Sequence, residues 1–324
     1  MTLKRNRRVR AALLATTLVA SAVLTACGGG EQVTRFAPSR VLAFGDETSV
    51  IDDSGSTGNG RKYSVNALSS DGTTLDCNAS PIWIQTVAQA YGFTFPQCNR
   101  GTLAVADPLS RIYATPGAKV ADVVAQVDQH VAAGGFVATD LVTILVGSND
   151  LLALYAQYPT VPEADLIAQA EAAGTALALQ VNRIADAGGK VVIATTPDLG
   201  LTPFGLAEEA ASPGRSGVLS RLAARFNAKL RVTVVNDGRR IGLVFADEAL
   251  QTAYKFAAQS GFTNVLAAVC DPAKAPTLPQ CTTATLVTDG SATTWLWADA
   301  THLSAGGQAL LGTIALSRAV NNPF

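Results

Sequence analysis

The chain has 324 residues, of which 48% are apolar and 15% are charged, a composition that supports a sizeable core and argues against global disorder. The chain has 24 basic and 25 acidic residues, and the basic residues form no cluster outside the N-terminus. The sequence therefore has no electrostatic footprint for nucleic acid, and the length fits one large domain or two small ones.

The N-terminus has the pattern of a bacterial lipoprotein signal peptide. Five basic residues within the first ten are followed by an apolar run, 11–24, which is too short to span a bilayer comfortably. This run leads into Leu-Thr-Ala-Cys, which resembles a lipobox, so Cys27 is the expected site of lipidation. An ordinary cleaved signal is the alternative. Removal of residues 1–26 leaves 19 basic and 25 acidic residues, a net charge of −6.

This pattern predicts a lipid-anchored protein of the bacterial cell envelope. We expect it at the outer membrane, facing the periplasm or the cell surface, and held to the membrane through the N-terminal lipid only. Residues 27–39 are small, polar and without periodicity, which predicts a tether. The remaining residues, 40–324, contain no repeat and no inner linker, so we expect one domain there.

The other four cysteines form two local pairs, and an oxidising compartment favours a disulfide within each. The expected bonds are Cys77–Cys98 and Cys270–Cys281, although three pairings are possible. A metal site is the alternative, but the chain has no C-x-x-C motif and only two histidines. We therefore expect neither a metal nor a cofactor.

From residue 40 onward, strand-like and helix-like segments alternate. The predicted strands are 41–44, 140–146, 190–195 and 241–245, and the predicted helices are 81–91, 117–133, 163–187, 217–236, 248–259 and 303–320. Continuous apolar strands separated by helices predict a parallel sheet covered on both faces, a three-layer α/β/α sandwich. Ligands bind such sheets at the carboxyl ends of the strands. Polar segments follow the strands there, at 45–47, 147–150 and 196–198.

The two histidines occupy different sequence contexts. His130 lies in a predicted helix beside two polar residues, and we interpret it as a helix-surface residue. His302 lies three residues after Asp299 and directly before the last predicted helix. At this spacing the carboxylate of Asp299 accepts the Nδ1–H of His302 and leaves Nε2 as a general base. A helix N-terminus with polar residues is the alternative interpretation.

Together these segments resemble the GDSL (SGNH) esterase and lipase family. Phe-Gly-Asp at 44–46, Gly-Ser-Asn-Asp at 147–150 and Asp-Ala-Thr-His at 299–302 resemble its first, third and fifth sequence blocks. Two further stretches, at 196–203 and 261–265, are similar to the branch with the autotransporter esterases. The resemblance implies a flavodoxin-like parallel sheet and hydrolysis of carboxylic esters, such as acyl or acetyl groups on lipids or glycans.

The resemblance also implies the roles of individual residues. The family has a nucleophilic serine directly after Gly-Asp, and here that position is Glu47. Asp299 would orient His302, which would act as the base. The oxyanion would be held by the backbone N–H of Glu47, by Ala104 in the second block and by the side chain of Asn149.

Glu47 changes the expected chemistry. A carboxylate about 4 Å from His302 attracts the imidazolium by roughly 4 kcal/mol and favours the protonated ring. The same carboxylate could fold onto Asn149 and the backbone donors. Three hypotheses follow. In the preferred one, Glu47 attacks an ester directly or positions a water with His302. In the second, Thr48 or Ser49 supplies the hydroxyl. In the third, catalysis is lost and the pocket binds a lipid, a glycan or an envelope protein.

Overall fold

The structure is a computed structural model that describes residues 35–55, 58–99 and 108–321. The fold described below is that of the unit that begins at Phe36. The expected signal peptide, Cys27 and Ala104 lie outside the described residues. Among the described helices, none combines the length and the apolar composition that crossing a membrane requires.

The described residues contain nine strands and eight α-helices. The strands are β1 (Arg40–Gly45), β2 (Ile51–Asp52), β3 (Arg61–Lys62), β4 (Ser110–Ile112), β5 (Asp140–Leu145), β6 (Lys190–Ala194), β7 (Ile241–Val244), β8 (Asn264–Ala268) and β9 (Trp295–Trp297). The helices are α1 (Trp83–Ala90), α2 (Val120–Ala132), α3 (Ser148–Tyr155), α4 (Glu163–Asp186), α5 (Pro203–Ala211), α6 (Arg215–Thr233), α7 (Ala246–Lys255) and α8 (Ala305–Asn321). Every predicted strand and helix is present, with ends that differ by a few residues, whereas the helices α3 and α5 and the strands β2, β3, β4, β8 and β9 were not predicted.

The central sheet has five parallel strands in the order β4-β1-β5-β6-β7. Numbered along the chain, these five strands read 2-1-3-4-5, which is the flavodoxin-like order. Strand order reverses direction beside β1, so the carboxyl end of β1 lies at the point where such sheets bind ligands. The predicted fold class is therefore confirmed.

Both faces of the sheet are covered by helices. Successive side chains of β1 point to opposite faces, as the pleat of a strand requires. Val41 and Ala43 pack in the apolar cluster that includes α1, α7 and α8, whereas Leu42 and Phe44 pack in the cluster that includes α2, α4 and α6. Because both faces are apolar, the strand sequences are continuously hydrophobic rather than alternating.

Both expected disulfides are present. Cys77 is bonded to Cys98, which closes the long connection between β1 and β4, and Cys270 is bonded to Cys281. Asn66 joins these two regions, because its side-chain amide donates to the carbonyl oxygens of Lys62 at 3.1 Å and Cys281 at 3.1 Å. The loop closed by Cys270 and Cys281 is therefore held against the connection between β1 and β4.

The interpretation of His130 as a helix-surface residue is wrong. Its side chain is fully buried, and its Nδ1 lies 2.8 Å from the phenol oxygen of Tyr113. The ring centroid lies 4.5 Å from that of Phe136. His130 follows the buried residues Val123 and Val127 at helical spacing, so it shares their inward face of α2. The polar neighbours at 128 and 129 lie on other faces of the helix.

Candidate active site

The end of β1 places Glu47 at the edge of the sheet. Gly45 has a φ of +123°, and a Cβ there would lie 1.9 Å from the carbonyl oxygen of Leu145, so no other residue fits. The buried carboxylate of Asp46 then accepts the backbone N–H of Thr48 at 3.0 Å. This bond caps the short 3₁₀ turn Glu47–Ser49. Burial, reinforced by the adjacent charge of Glu47, raises the pKa of Asp46 to about 7.

Asp299, His302 and Glu47 form a continuous hydrogen-bonded line. The Nδ1 of His302 lies 2.9 Å from each carboxylate oxygen of Asp299, and its Nε2 lies 3.1 Å from Oε1 of Glu47. Oδ1 of Asp299 also accepts the backbone N–H groups of Thr301 at 2.9 Å and His302 at 2.8 Å. The turn before α8 therefore fixes the orientation of the imidazole, and the structure brings together the three residues that the sequence predicted.

Two N–H donors face the carboxylate of Glu47. The side-chain amide of Asn149, in the first turn of α3, donates to Oε2 at 3.0 Å and to Oε1 at 3.2 Å. The backbone N–H of Gly117 donates to Oε2 at 2.7 Å. Asn149 was predicted as such a donor, and the carboxylate lies where the sequence analysis suggested it could fold.

Gly117 is a site residue that the sequence analysis missed. It lies in the connection between β4 and α2, and its N–H reaches the same edge of the sheet as Glu47. Ala104, which was predicted as the second-block donor, lies outside the described residues. The sequence does contain a signal, because Pro-Gly at 116–117 marks a turn before a helix. The strand that precedes this turn has only three residues and gives no apolar run.

The protonation of the site follows from its two carboxylates. Burial by itself would lower the pKa of His302, but hydrogen bonds and charge attraction from Asp299 and Glu47 outweigh burial and raise it to about 10. Burial would likewise raise the pKa of Glu47, but its bonds with His302 and the Gly117 N–H lower it to about 2. At neutral pH the site is therefore an imidazolium between two carboxylates.

The hydroxyls of Thr48 and Ser49, the alternative nucleophiles, make no hydrogen bond to the imidazole of His302. The hydroxyl of Ser49 is fully buried and accepts the indole N–H of Trp83 at 3.1 Å, so it faces the core. Thr48 is partly exposed, and its backbone N–H is bound to Asp46. Within the described residues, His302 makes no hydrogen bond to either hydroxyl. The same part of the chain contains no group of three or more His, Cys, Asp or Glu side chains arranged to hold a metal ion.

The sequence that contains this site matches a known family of proteins. The family model of the GDSL-like lipases and acylhydrolases matches residues 41–313, which is most of the chain and spans the site from β1 through the middle of α8. The chain therefore belongs to the GDSL-like lipase/acylhydrolase family. No curated protein matches the sequence.

Solved structures to which this chain is similar include an acetylxylan esterase, Axe2, from Geobacillus stearothermophilus, with 15% identity, a TM-score of 0.43, and coverage of 89% of this chain and 96% of that chain. A GDSL-family lipolytic protein from Veillonella parvula has 11% identity, a TM-score of 0.41 and coverages of 86% and 96%. A putative GDSL-like lipase from Parabacteroides merdae has 13% identity, a TM-score of 0.41 and coverages of 89% and 98%. The family assignment rests on the sequence match and not on these similarities.

Proposed function

We propose that the chain hydrolyses carboxylic esters through Glu47 and His302. The observation that carries this proposal is the hydrogen-bonded line from Asp299 through His302 to Glu47, with the N–H donors of Asn149 and Gly117 at its end. Donors fixed in this way stabilise the negative charge that develops on an ester carbonyl oxygen during attack. The acid–base groups and the charge-stabilising groups therefore meet at one point.

The proposed reaction begins when Glu47 turns away from the two donors and the ester carbonyl oxygen takes its place. A water molecule attacks the carbonyl carbon, and the carboxylate of Glu47 accepts the proton that the water releases. The protonated His302 gives its Nε2 proton to the departing alcohol oxygen. The products are a carboxylic acid and an alcohol, and the proton on Glu47 then returns to Nε2. Direct attack by Glu47, through an anhydride, is the second route.

A second candidate function is ligand binding without turnover. It is favoured by one observation: the carboxylate of Glu47 already accepts from Gly117 at 2.7 Å and from Asn149 at 3.0 Å. An ester oxygen would have to displace it. In addition, a ring whose pKa is raised to about 10 cannot accept a proton at neutral pH. On this alternative, the pocket binds a lipid, a glycan or an envelope protein.

The two candidates are separated by kinetics on purified, unlipidated protein with p-nitrophenyl acetate and butyrate. Ester hydrolysis predicts turnover by the native chain that is lost in Glu47→Gln and in His302→Ala. Turnover that appears only in Glu47→Ser would contradict the first candidate and support the second. Loss in Thr48→Ala or Ser49→Ala alone would instead assign the reaction to a hydroxyl. Glu248→Gln, at an exposed glutamate of α7, is the matched control.

We also propose that the protein is an exported lipoprotein of the cell envelope. Residues 1–26 would be the signal peptide, Cys27 the acylated first residue of the mature chain, 27–39 a tether and 40–324 the hydrolase domain. Two disulfides in the domain support export, since disulfides persist in oxidising compartments. Mass spectrometry of the N-terminal peptide tests the proposal. A diacylated or triacylated Cys27 is expected, and an unmodified N-terminus in the native host would contradict it.

A further inference from the structure

A buried glutamine joins two segments that carry the candidate active site. Gln126 lies in α2, and only 5% of it is exposed. Its Oε1 accepts the backbone N–H of Gly45 at 2.8 Å, and its Nε2 donates to the carbonyl oxygen of the same residue at 2.9 Å. Nε2 also donates to Oγ1 of Thr115, in the connection between β4 and α2, at 3.4 Å. Both hydrogens of the amide are therefore used, and one side chain holds the end of β1 to this connection.

Gln126 acts where the pairing of two strands stops. β1 pairs with β5 as far as Gly45, whereas its pairing with β4 stops at Ala43, opposite Ile112. Beyond that point the carbonyl oxygen of Gly45 accepts the backbone N–H of Thr115 at 3.1 Å. The N–H of Gly45 is accepted by Gln126 instead of by a strand. Because a buried backbone N–H requires a partner, the glutamine side chain takes the place of a strand residue at this edge.

The two segments that Gln126 joins lead directly to two groups of the site. Gly45 lies two residues before Glu47, and Thr115 lies two residues before Gly117. Glu47 and Gly117 are 70 residues apart along the chain, yet the N–H of one lies 2.7 Å from the carboxylate of the other. By bonding to Gly45 and to Thr115, the amide of Gln126 fixes how far apart these groups lie.

The connection that carries Gly117 is also held on its other side. The side-chain amide of Asn149 donates to the carbonyl oxygen of Ala118 at 3.2 Å. The carboxylate of Asp150 accepts the backbone N–H of Val120, the first residue of α2, at 3.0 Å. Gly117 itself is exposed and has a φ of +76°. Its position therefore depends on contacts made by the residues before and after it.

These flanking contacts become important when the Glu47 carboxylate moves. At rest the carboxylate itself accepts the N–H of Gly117, but in the proposed reaction it turns away and an ester oxygen takes its place. The N–H must then stay where it was, since a displacement of about 1 Å costs on the order of 10²-fold in rate. Gln126 bonds to the backbone of Gly45 rather than to the Glu47 side chain, so its hold on the donor does not depend on where that side chain points.

We propose that Gln126 is a positioning residue, which keeps the N–H of Gly117 in place opposite Glu47 through its bonds to Gly45 and Thr115. Its effect on rate rests on the proposed ester hydrolysis, but its effect on the placement of Gly117 does not. The alternative is that Gln126 only stabilises the core. That alternative predicts a general loss of stability without a specific effect at Gly117.

Placement is tested first, by amide hydrogen exchange followed by nuclear magnetic resonance. Gln126→Met keeps the length of the side chain and removes its hydrogen bonds. Gln126→Asn keeps the amide but is one methylene too short to reach Gly45, and its small change in volume protects the test against misfolding. In both variants the amide of Gly117 should exchange at least tenfold faster relative to that of Val142, in the core of β5. Exchange that speeds up equally at both amides, or at neither, would overturn the proposal. Gln129→Met, at an exposed glutamine of the same helix, is the matched control and should leave both unchanged.

Turnover is tested next, with p-nitrophenyl acetate. In Gln126→Met and Gln126→Asn, kcat should fall on the order of 10²-fold while KM stays within threefold of native, because the donor stabilises charge that develops only in the transition state. Gln129→Met should stay within twofold of native. An unchanged kcat, or a loss confined to KM, would overturn the role of Gln126 in the reaction. Faster exchange at Gly117 in a protein whose native form hydrolyses no ester would support the positioning by Gln126 and contradict the proposed ester hydrolysis, so the two failures are distinguishable.

Discussion

The two histidines of this chain, one fully buried and the other partly buried, differ in charge. His130 lies among Phe44 and Phe136 and is hydrogen-bonded to Tyr113, and burial lowers its pKa. His302 lies between two carboxylates, which raise its pKa to about 10 despite burial. Desolvation acts against the charged form of both rings. The hydrogen-bonded carboxylates at one ring, and not the degree of burial, therefore decide which histidine carries a proton at neutral pH.

The largest effect is expected from the removal of the Glu47 carboxylate. Glu47→Ser should raise kcat/KM with p-nitrophenyl acetate on the order of 10³-fold, because two N–H donors are freed and a hydroxyl faces His302. Initial rates of purified variants measure this. Asn149→Ala in the Glu47→Ser background should lose most of the gain. If Glu47→Ser is no faster than the native chain, the donors do not form an oxyanion site.

The other histidine is expected to affect stability instead. His130→Ala should lower the free energy of unfolding by about 3 kcal/mol, since it removes a buried ring and leaves the hydroxyl of Tyr113 without its partner. Urea unfolding followed by circular dichroism provides the measurement. Val131→Ala, at a half-exposed position on the same helix, is the control and should cost less than half as much. A loss below 1 kcal/mol would mean that the core adapts around position 130.

The contribution of His302 to the free energy of unfolding should depend on pH. The pKa of His302 is raised on folding, so the stability it contributes is fully present below about pH 6.5 and is lost as pH rises towards 10. The gap in unfolding free energy between the native chain and His302→Gln should narrow by up to about 1.4 kcal/mol per pH unit across that range. Denaturant titrations at pH 6, 8 and 9.5 measure it. A gap independent of pH would show that His302 is neutral.

The smallest change is expected from Asp299→Asn. Removing this carboxylate while keeping Glu47 should lower the pKa of His302 by about one unit or more, because one of its two charged partners is lost. Nuclear magnetic resonance titration of the imidazole carbons gives the value directly. The signals of His130 serve as the internal control and should not move. An unchanged pKa for His302 would assign its protonation to Glu47 alone.

Long apolar segments made most of the fold predictable. β1, β5 and β6 are buried on both faces, so each reads as a continuous apolar run, and helices α2, α4 and α8 repeat apolar residues at helical spacing. The three-residue spacing of Asp299 and His302 likewise predicted their contact, because a shared turn fixes both side chains. These features depend on local sequence, which is why they are visible without coordinates.

Features that depend on long-range packing were missed. β4 has only three residues at the edge of the sheet, so Gly117 had no recognised strand before it. His130 was predicted to lie on the helix surface because its neighbours at 128 and 129 are polar. Its helical spacing from Val127 instead places it on the inward face of α2. The inward orientation of Ser49 depends on Trp83, which lies more than thirty residues away along the chain. No local pattern reports a partner at that distance.

The length of the Glu47 side chain has a consequence of its own. Its carboxyl carbon stands three bonds from Cα, as does the carbonyl carbon of a serine that has received an acyl group. With its carboxylate bound to the N–H donors of Gly117 and Asn149, Glu47 has the shape of a serine that carries an acyl group. Shortening this side chain to alanine would leave a space shaped for free acetate, with the imidazolium and both amide hydrogens already in place to receive it.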